Sequence, residues 1–143
     1  MSTQMHVDVV APDGMVWQGD ATSVIVRTTE GDIGILKDHE PVMAAMVPCA
    51  AEVVTTDGQR KVIAVGGGFI SVYGNHVSLL SDSAELADDI SLVVAERALA
   101  AMKETQDQGE LSGADSRRLH QLEAQVKAGE RYEQLGGHLG ATA

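Results

Sequence analysis

With 143 residues, 44% hydrophobic and 22% charged, the chain has a globular composition: one compact domain, or a domain of about 85 residues with an appendage, and not a disordered segment. Its net charge of −11 is shared by both halves, eleven acidic against four basic residues up to position 87 and ten against six beyond, so no basic stripe exists to hold nucleic acid or anionic lipid. No apolar run reaches about 18 residues, Met1–His6 lacks a leader pattern, and the single Cys49 forms no internal disulfide, which together predict an acidic cytosolic protein with no direct membrane insertion.

Aromatic residues make up only 3% of the chain, so a core is expected from Val, Ile, Leu, Ala and Met. The first half reads as short β-runs rich in branched residues, each bounded by turn residues. They are Met5–Ala11, Val16–Gln18, Thr22–Thr29, Asp32–Leu36, Val42–Val47, Ala50–Thr56, Arg60–Val65, Phe69–Tyr73 and His76–Ser81. Met5, Val7 and Val9 fall on one face of the first run, His6 and Asp8 on the other. Asp57-Gly58 and Gly74-Asn75 supply the positive φ that tight hairpins need. Nine such runs with no helical period among them predict an antiparallel sandwich or barrel.

At Asp88 the period changes from two to about 3.6. A helix is expected over Asp88–Thr105, with Leu92, Ala95, Leu99 and Met102 on one stripe and Asp88 and Asp89 at its positive end. A polar linker, Gln106 to Ala114, contains Gly109 and Gly113. A second helix follows from about Asp115 to Leu135, striped by Leu119, Leu122, Val126 and Leu135 and stopped by Gly136-Gly137. Helices joined this closely fold back as an antiparallel hairpin. Their stripes are narrow and rich in Ala, and Gly129 costs about 1 kcal/mol relative to Ala. The expected fold is therefore β + α: an N-terminal antiparallel β-sandwich, residues 1–86, followed by a weakly held C-terminal helical hairpin, residues 87–143.

Catalytic chemistry finds no foothold. His6, His39, His76, His120 and His138 are scattered without ligand spacing, and one cysteine builds no zinc site, so no metal, cofactor or catalytic residue is expected. Gly66-Gly67-Gly68 precedes a strand-like run and not the helix N-terminus that a phosphate cradle requires, which favours close packing in a sheet. The most distinctive stretch is Glu30-Gly31-Asp32-Ile33-Gly34-Ile35-Leu36-Lys37-Asp38-His39-Glu40-Pro41: a turn, a short apolar strand and a charged turn closed by Pro. Physically it is a loop region at one end of a sandwich, a place where contact residues commonly sit.

That stretch resembles the Glu-Gly-x-x-Gly-Ile-x-x-x-His-x-Pro pattern of F-type ATP synthase epsilon subunits, called delta in mitochondria. His6-Val7-Asp8-Val9-Val10, Gly66-Gly67-Gly68-Phe69, and Asn75 to Leu80 followed by Ser83-Ala84-Glu85 agree with the family in order and spacing. Beyond about Thr105 the likeness is one of architecture. The resemblance implies a non-catalytic subunit of the rotor, peripheral at the cytoplasmic face of the cell membrane, in a proton-translocating complex. Its partners would be the gamma subunit and the ring of c subunits, with the catalytic alpha and beta subunits added when the hairpin extends.

The resemblance also implies that Glu30, Gly31, Asp32, Lys37, Asp38 and His39 form the loop that touches ring or gamma, with Asp32 at the family's acidic position. The hairpin would block rotation in the hydrolysis direction when extended and permit it when folded. Some relatives bind ATP through an Ile-Asp-x-x-Arg-Ala motif, but the matching stretch here is Ile90-Ser91-Leu92-Val93-Val94-Ala95. Ser91 and Val94 replace the carboxylate and guanidinium, so no nucleotide site is expected. Lys37 stands where many relatives carry Pro, and Cys49 where they often carry Gly. The competing reading is a free-standing β-sandwich adaptor. A large apolar patch on one sheet face would favour the rotor subunit, and a uniformly polar surface the adaptor.

Overall fold

The computed structural model describes residues 4–107, 109 and 112–136. Gly137, His138 and parts of the 106–114 linker lie outside the described residues. The described residues form nine strands: β1 Met5–Ala11, β2 Gly14–Thr28, β3 Gly31–Leu36, β4 Val42–Met46, β5 Cys49–Thr55, β6 Arg60–Val65, β7 Gly68–Tyr73, β8 His76–Ser81 and β9 Ala84–Leu86. A single 3-10 turn, Ala87–Asp89, leads to α1 Leu92–Asp107 and α2 Gly113–Gln134.

The strands run in the order β1-β8-β7-β4-β2-β5-β6-β9, with β3 on the free side of β2 and β1 also paired with β2. Because β2 pairs β1 up to Ala21 and β5 and β3 from there on, it carries the chain from one sheet layer into the other. This explains why two expected runs, Val16–Gln18 and Thr22–Thr29, are one 15-residue strand. Gly19-Asp20, read as a break, stays in the ladder opposite Val7 and His6. A Cβ on Gly19 would sit 2.9 Å from Cζ2 of Trp17, so the glycine leaves room for the indole. The ninth strand is β9, too short to show alternation; it pairs Ile63–Val65 of β6. One pairing departs from the antiparallel plan: β1 and β8 run parallel, with His6 opposite His76.

The core between the layers is aliphatic. Val7, Val9, Val24, Ile35, Val53, Ile63, Val65, Ile70 and Leu79 are fully buried, and Trp17 packs only at the margin. Strand alternation places these residues inward and their neighbours outward. The triple glycine is a packing device, as its strand context predicts. At Gly68, with φ +129°, a Cβ would collide with the Leu80 carbonyl oxygen and lie 2.8 Å from Ser81 Cα.

The hairpin begins later than expected. Asp88 and Asp89 lie in the 3-10 turn, before α1, so they do not open that helix. Ser91 precedes α1 instead, its Oγ accepting the Val94 N–H at 3.4 Å. Ser112 caps α2 by accepting the Asp115 N–H at 3.1 Å. The helices are stacked and not side by side on the sheet: α2 lies on β5 and β6, and α1 packs on α2. Ala124 and Ala128 join Val62, Ala64 and Ala87 in a small second core. At about 100° per residue along a helix, Leu122 and Gly129 lie roughly 160° and 140° round from Ala124, on the side turned away from that contact. Gly129 accepts the side chain of Leu92, whose Cδ1 would be 3.1 Å from a Cβ there. Leu135, expected on the stripe, is the exposed C-cap residue.

Candidate functional site

The stretch from Glu30 to Pro41 does not form one patch, because β3 runs through its middle. At about 3.4 Å per residue, six residues separate its two ends by roughly 20 Å. At the first end, the Thr28 hydroxyl donates to Gly31 O at 2.8 Å and accepts the Glu30 N–H at 3.1 Å, fixing the tight turn. Asp32 lies 3.5 Å from Arg27 across the β2–β3 ladder, with both side chains more than half exposed. Such a pair is screened and contributes little to stability, so Glu30, Gly31 and Asp32 present an open acidic turn with one neighbouring cation.

At the other end, Lys37, Asp38 and His39 are stitched to the β7–β8 turn. The Asp38 N–H donates to Asn75 Oδ1 at 2.6 Å, and Asn75 Nδ2 donates back to Asp38 Oδ1 at 3.0 Å. Asp38 and Asn75 both adopt positive φ, 65° and 62°, which short polar side chains tolerate best. Lys37 Nζ is 3.9 Å from Asp38, and the His39 ring donates through Nδ1 to Glu40 O at 2.7 Å. This end is a hydrogen-bonded, mixed-charge corner.

Beside it stands a cluster that sequence spacing does not reveal. The parallel β1–β8 register brings His6 and His76 together at 5.3 Å between ring centroids. His6 Nε2 is 3.0 Å from Asp8 Oδ1 and its Nδ1 3.3 Å from Asp20 Oδ1, while His76 Nε2 is 2.6 Å from Asp8 Oδ2. The His6 N–H donates to Asn75 O at 2.9 Å, tying the cluster to the Asp38 corner. Only the alternation of His6 and Asp8 hinted at it. These two histidines are thus neither scattered nor isolated, although among the described residues no group of three or more His, Cys, Asp or Glu is arranged to hold a metal ion.

The outer face of the β1-β8-β7-β4 layer is apolar along one row. Val10, Leu80, Phe69 and Ala45 are register neighbours on adjacent strands, and Met43 and Tyr73 stand on the same face. Phe69 is 55% exposed, Met43 73% and Tyr73 74%, so the surface is not uniformly polar. The opposite outer face, on β5 and β6, is the one α2 covers. On the inner face of β5, Cys49 is buried in the core between the layers, and that burial pushes its thiol pKa up.

The stretch Ile90–Ala95 spans the entry to α1. Ile90 packs on the alanine cluster, Ser91 serves as the cap, and Val94 points outward at 63% exposure. Neither side chain carries a carboxylate or a guanidinium. No helix of the described residues is long and apolar enough to cross a membrane.

A family profile described as the β-sandwich domain of the ATP synthase delta/epsilon chain matches residues 4–87. The chain is 40% identical over 132 residues to the ATP synthase epsilon chain of Cutibacterium acnes, covering 87% of this chain and 90% of that one. It is 42% identical over 117 residues to the ATP synthase epsilon chain of Streptomyces griseus, covering 82% and 94%. In fold it is similar to a chain of the cryo-EM structure of the Euglena gracilis mitochondrial ATP synthase, OSCP/F1/c-ring, with TM-score 0.71 at 19% identity, over 94% of this chain and 83% of that one.

Proposed function

This chain belongs to the ATP synthase delta/epsilon family, and from that premise we propose that it is a non-catalytic central-stalk subunit of a proton-translocating F-type ATP synthase. In this reading it links the gamma subunit to the c-ring, peripherally at the cytoplasmic face of the membrane. It also restrains ATP hydrolysis through its helical hairpin. The observation that carries the reading is the apolar outer face around Phe69, Leu80 and Met43. An exposed patch of this kind calls for a protein partner, and it lies on the sheet face that the hairpin leaves free. A free-standing adaptor with a uniformly polar surface has no use for it.

The gamma subunit is assigned to that face. The two ends of β3 supply separate contacts: Glu30, Gly31 and Asp32 an acidic turn against the polar loops of the ring, and Lys37, Asp38 and His39 a hydrogen-bonded corner. Complementary charge there fixes register more than it adds affinity. The division into residues 1–86 and 87–143 follows the same logic, since the family match ends at Ala87, where the strands stop. The hairpin senses no ATP in this reading, because Ser91 and Val94 supply neither the carboxylate nor the guanidinium of the family's motif.

The test is reconstitution with the cognate gamma subunit and c-ring. Phe69→Glu is expected to weaken gamma binding more than about tenfold, as loss of a buried aromatic anchor does. A chain ending at Leu86 should still assemble and should raise ATPase activity. Wild-type binding by Phe69→Glu overturns the assigned face, unchanged hydrolysis after truncation overturns the regulatory role, and micromolar ATP binding by calorimetry overturns the last point.

A further inference from the structure

The contact between α2 and the sandwich is unusual in what it is made of. Its fully buried apolar part is alanine on alanine and valine, Ala124 and Ala128 against Val62, Ala64 and Ala87, with Ile90 and Tyr132 packed half-buried at the edge. Small side chains remove little surface from water, so this part holds α2 weakly. The polar part supplies the directional contacts. Glu52, on the outer face of β5 with its side chain only 14% exposed, receives Arg131 of α2 as a fork, Nε to Oε2 at 2.9 Å and Nη2 to Oε1 at 3.2 Å. Arg60 of β6 donates Nη1 to the same Oε1 at 3.0 Å. Gln125 Nε2 to Glu85 Oε1 at 2.6 Å and Lys127 Nζ to Pro48 O at 3.1 Å flank this centre.

We propose that Glu52 is an electrostatic clasp for the hairpin, shared between a guanidinium that stays with the sandwich, Arg60, and one that leaves with α2, Arg131. A forked guanidinium–carboxylate pair at low exposure is among the strong polar contacts available to a protein. Broken outright, such a pair leaves one charge stranded. Arg60 prevents that: when Arg131 departs, Glu52 keeps a cation beside it. Sharing also weakens the hold, because Arg131 joins a carboxylate already half neutralised and meets a second positive charge at the site. The arrangement makes docking reversible, and it makes docking sensitive to ionic strength, since Arg131 and Arg60 remain partly open to solvent.

The two arginines are therefore expected to act with opposite signs, which distinguishes a clasp from ordinary surface pairing. Hydrogen exchange of the full chain reads it directly, with sandwich amides as the internal reference. Arg131→Gln and Glu52→Gln should each speed exchange of the α2 amides about tenfold, the scale of a charge-assisted hydrogen-bond pair. The double variant should add nothing further. Arg60→Gln should slow that exchange, because Arg131 then has Glu52 to itself. Raising salt from about 0.05 to 0.5 M should loosen α2 in the wild type and leave Arg131→Gln unmoved.

Unchanged α2 exchange in Arg131→Gln, additive single effects, or faster exchange in Arg60→Gln would each overturn the clasp. Its importance for regulation rests on the proposed function, so ATPase activity of the complex is measured in parallel. If α2 loosens and hydrolysis does not respond, the regulatory reading fails while the clasp stands.

Discussion

The sandwich and the hairpin are held together by different physics. In the sandwich, branched aliphatic side chains from two layers interlock around Val7, Val24, Ile63 and Leu79, with backbone at Gly68 in direct contact with its neighbour. In the hairpin, alanines and a glycine meet at short range, and polar pairs at the rim supply the directional contacts. Large apolar burial makes a unit that unfolds as a whole, whereas small-residue contacts ringed by ion pairs make one that can be set down and lifted. Loss of structure in both regions together would break that comparison.

The largest effect is expected at Gly68. Alanine there needs a φ of +129° and puts a methyl group into the Leu80 carbonyl, with no flexible atom to yield. A loss of about 4 kcal/mol or more is expected, enough to unfold a marginal domain, and chemical denaturation measures it. Next comes Leu79→Ala, a fully buried deletion far from the helices, at about 3 kcal/mol. Leu122→Ala removes a side chain just as deeply buried, yet on the face of α2 turned from the sheet. It should reduce helical circular dichroism and exchange protection in α1 and α2 while the free energy of sheet unfolding changes by no more than about 0.5 kcal/mol. A common unfolding midpoint for both regions in Leu122→Ala would show that they are one cooperative unit.

The same contrast explains what the sequence disclosed. Strand alternation and hairpin dipeptides located eight of the nine strands, since half-buried strands must alternate and tight turns must carry special residues. The continuity of β2 was hidden, because Gly19-Asp20 has the composition of a turn and only the Trp17 ring shows why glycine is needed inside a strand. The docking face of α2 was hidden too. A search for large apolar residues finds Leu119 and Leu122, whereas Ala124 and Ala128 make the contact with the sheet. The Glu30–Pro41 stretch is contiguous in sequence and divided in space, for the plain reason that an extended strand is long. His6 and His76 are the converse case, 70 positions apart and joined by a parallel register that no local pattern encodes.

The smallest expected effect falls at Gly129, and its sign carries the most information about the hairpin. Glycine in mid-helix costs about 1 kcal/mol relative to alanine, so Gly129→Ala should strengthen α2 by itself. The added methyl would meet Leu92 at 3.1 Å from Cδ1 and 3.3 Å from Cβ, closer than an ordinary contact. Leu92 stands at the first turn of α1, half-buried, on a helix whose main support is α2 itself. It can move back by a few tenths of an ångström, and α1 moves with it. The net change should therefore stay within about 1 kcal/mol, divided unequally: α2 amides exchange more slowly and α1 amides faster. If instead both helices loosen together, the Leu92–Gly129 contact is what binds the hairpin into a unit, and α1 is no mere passenger on α2.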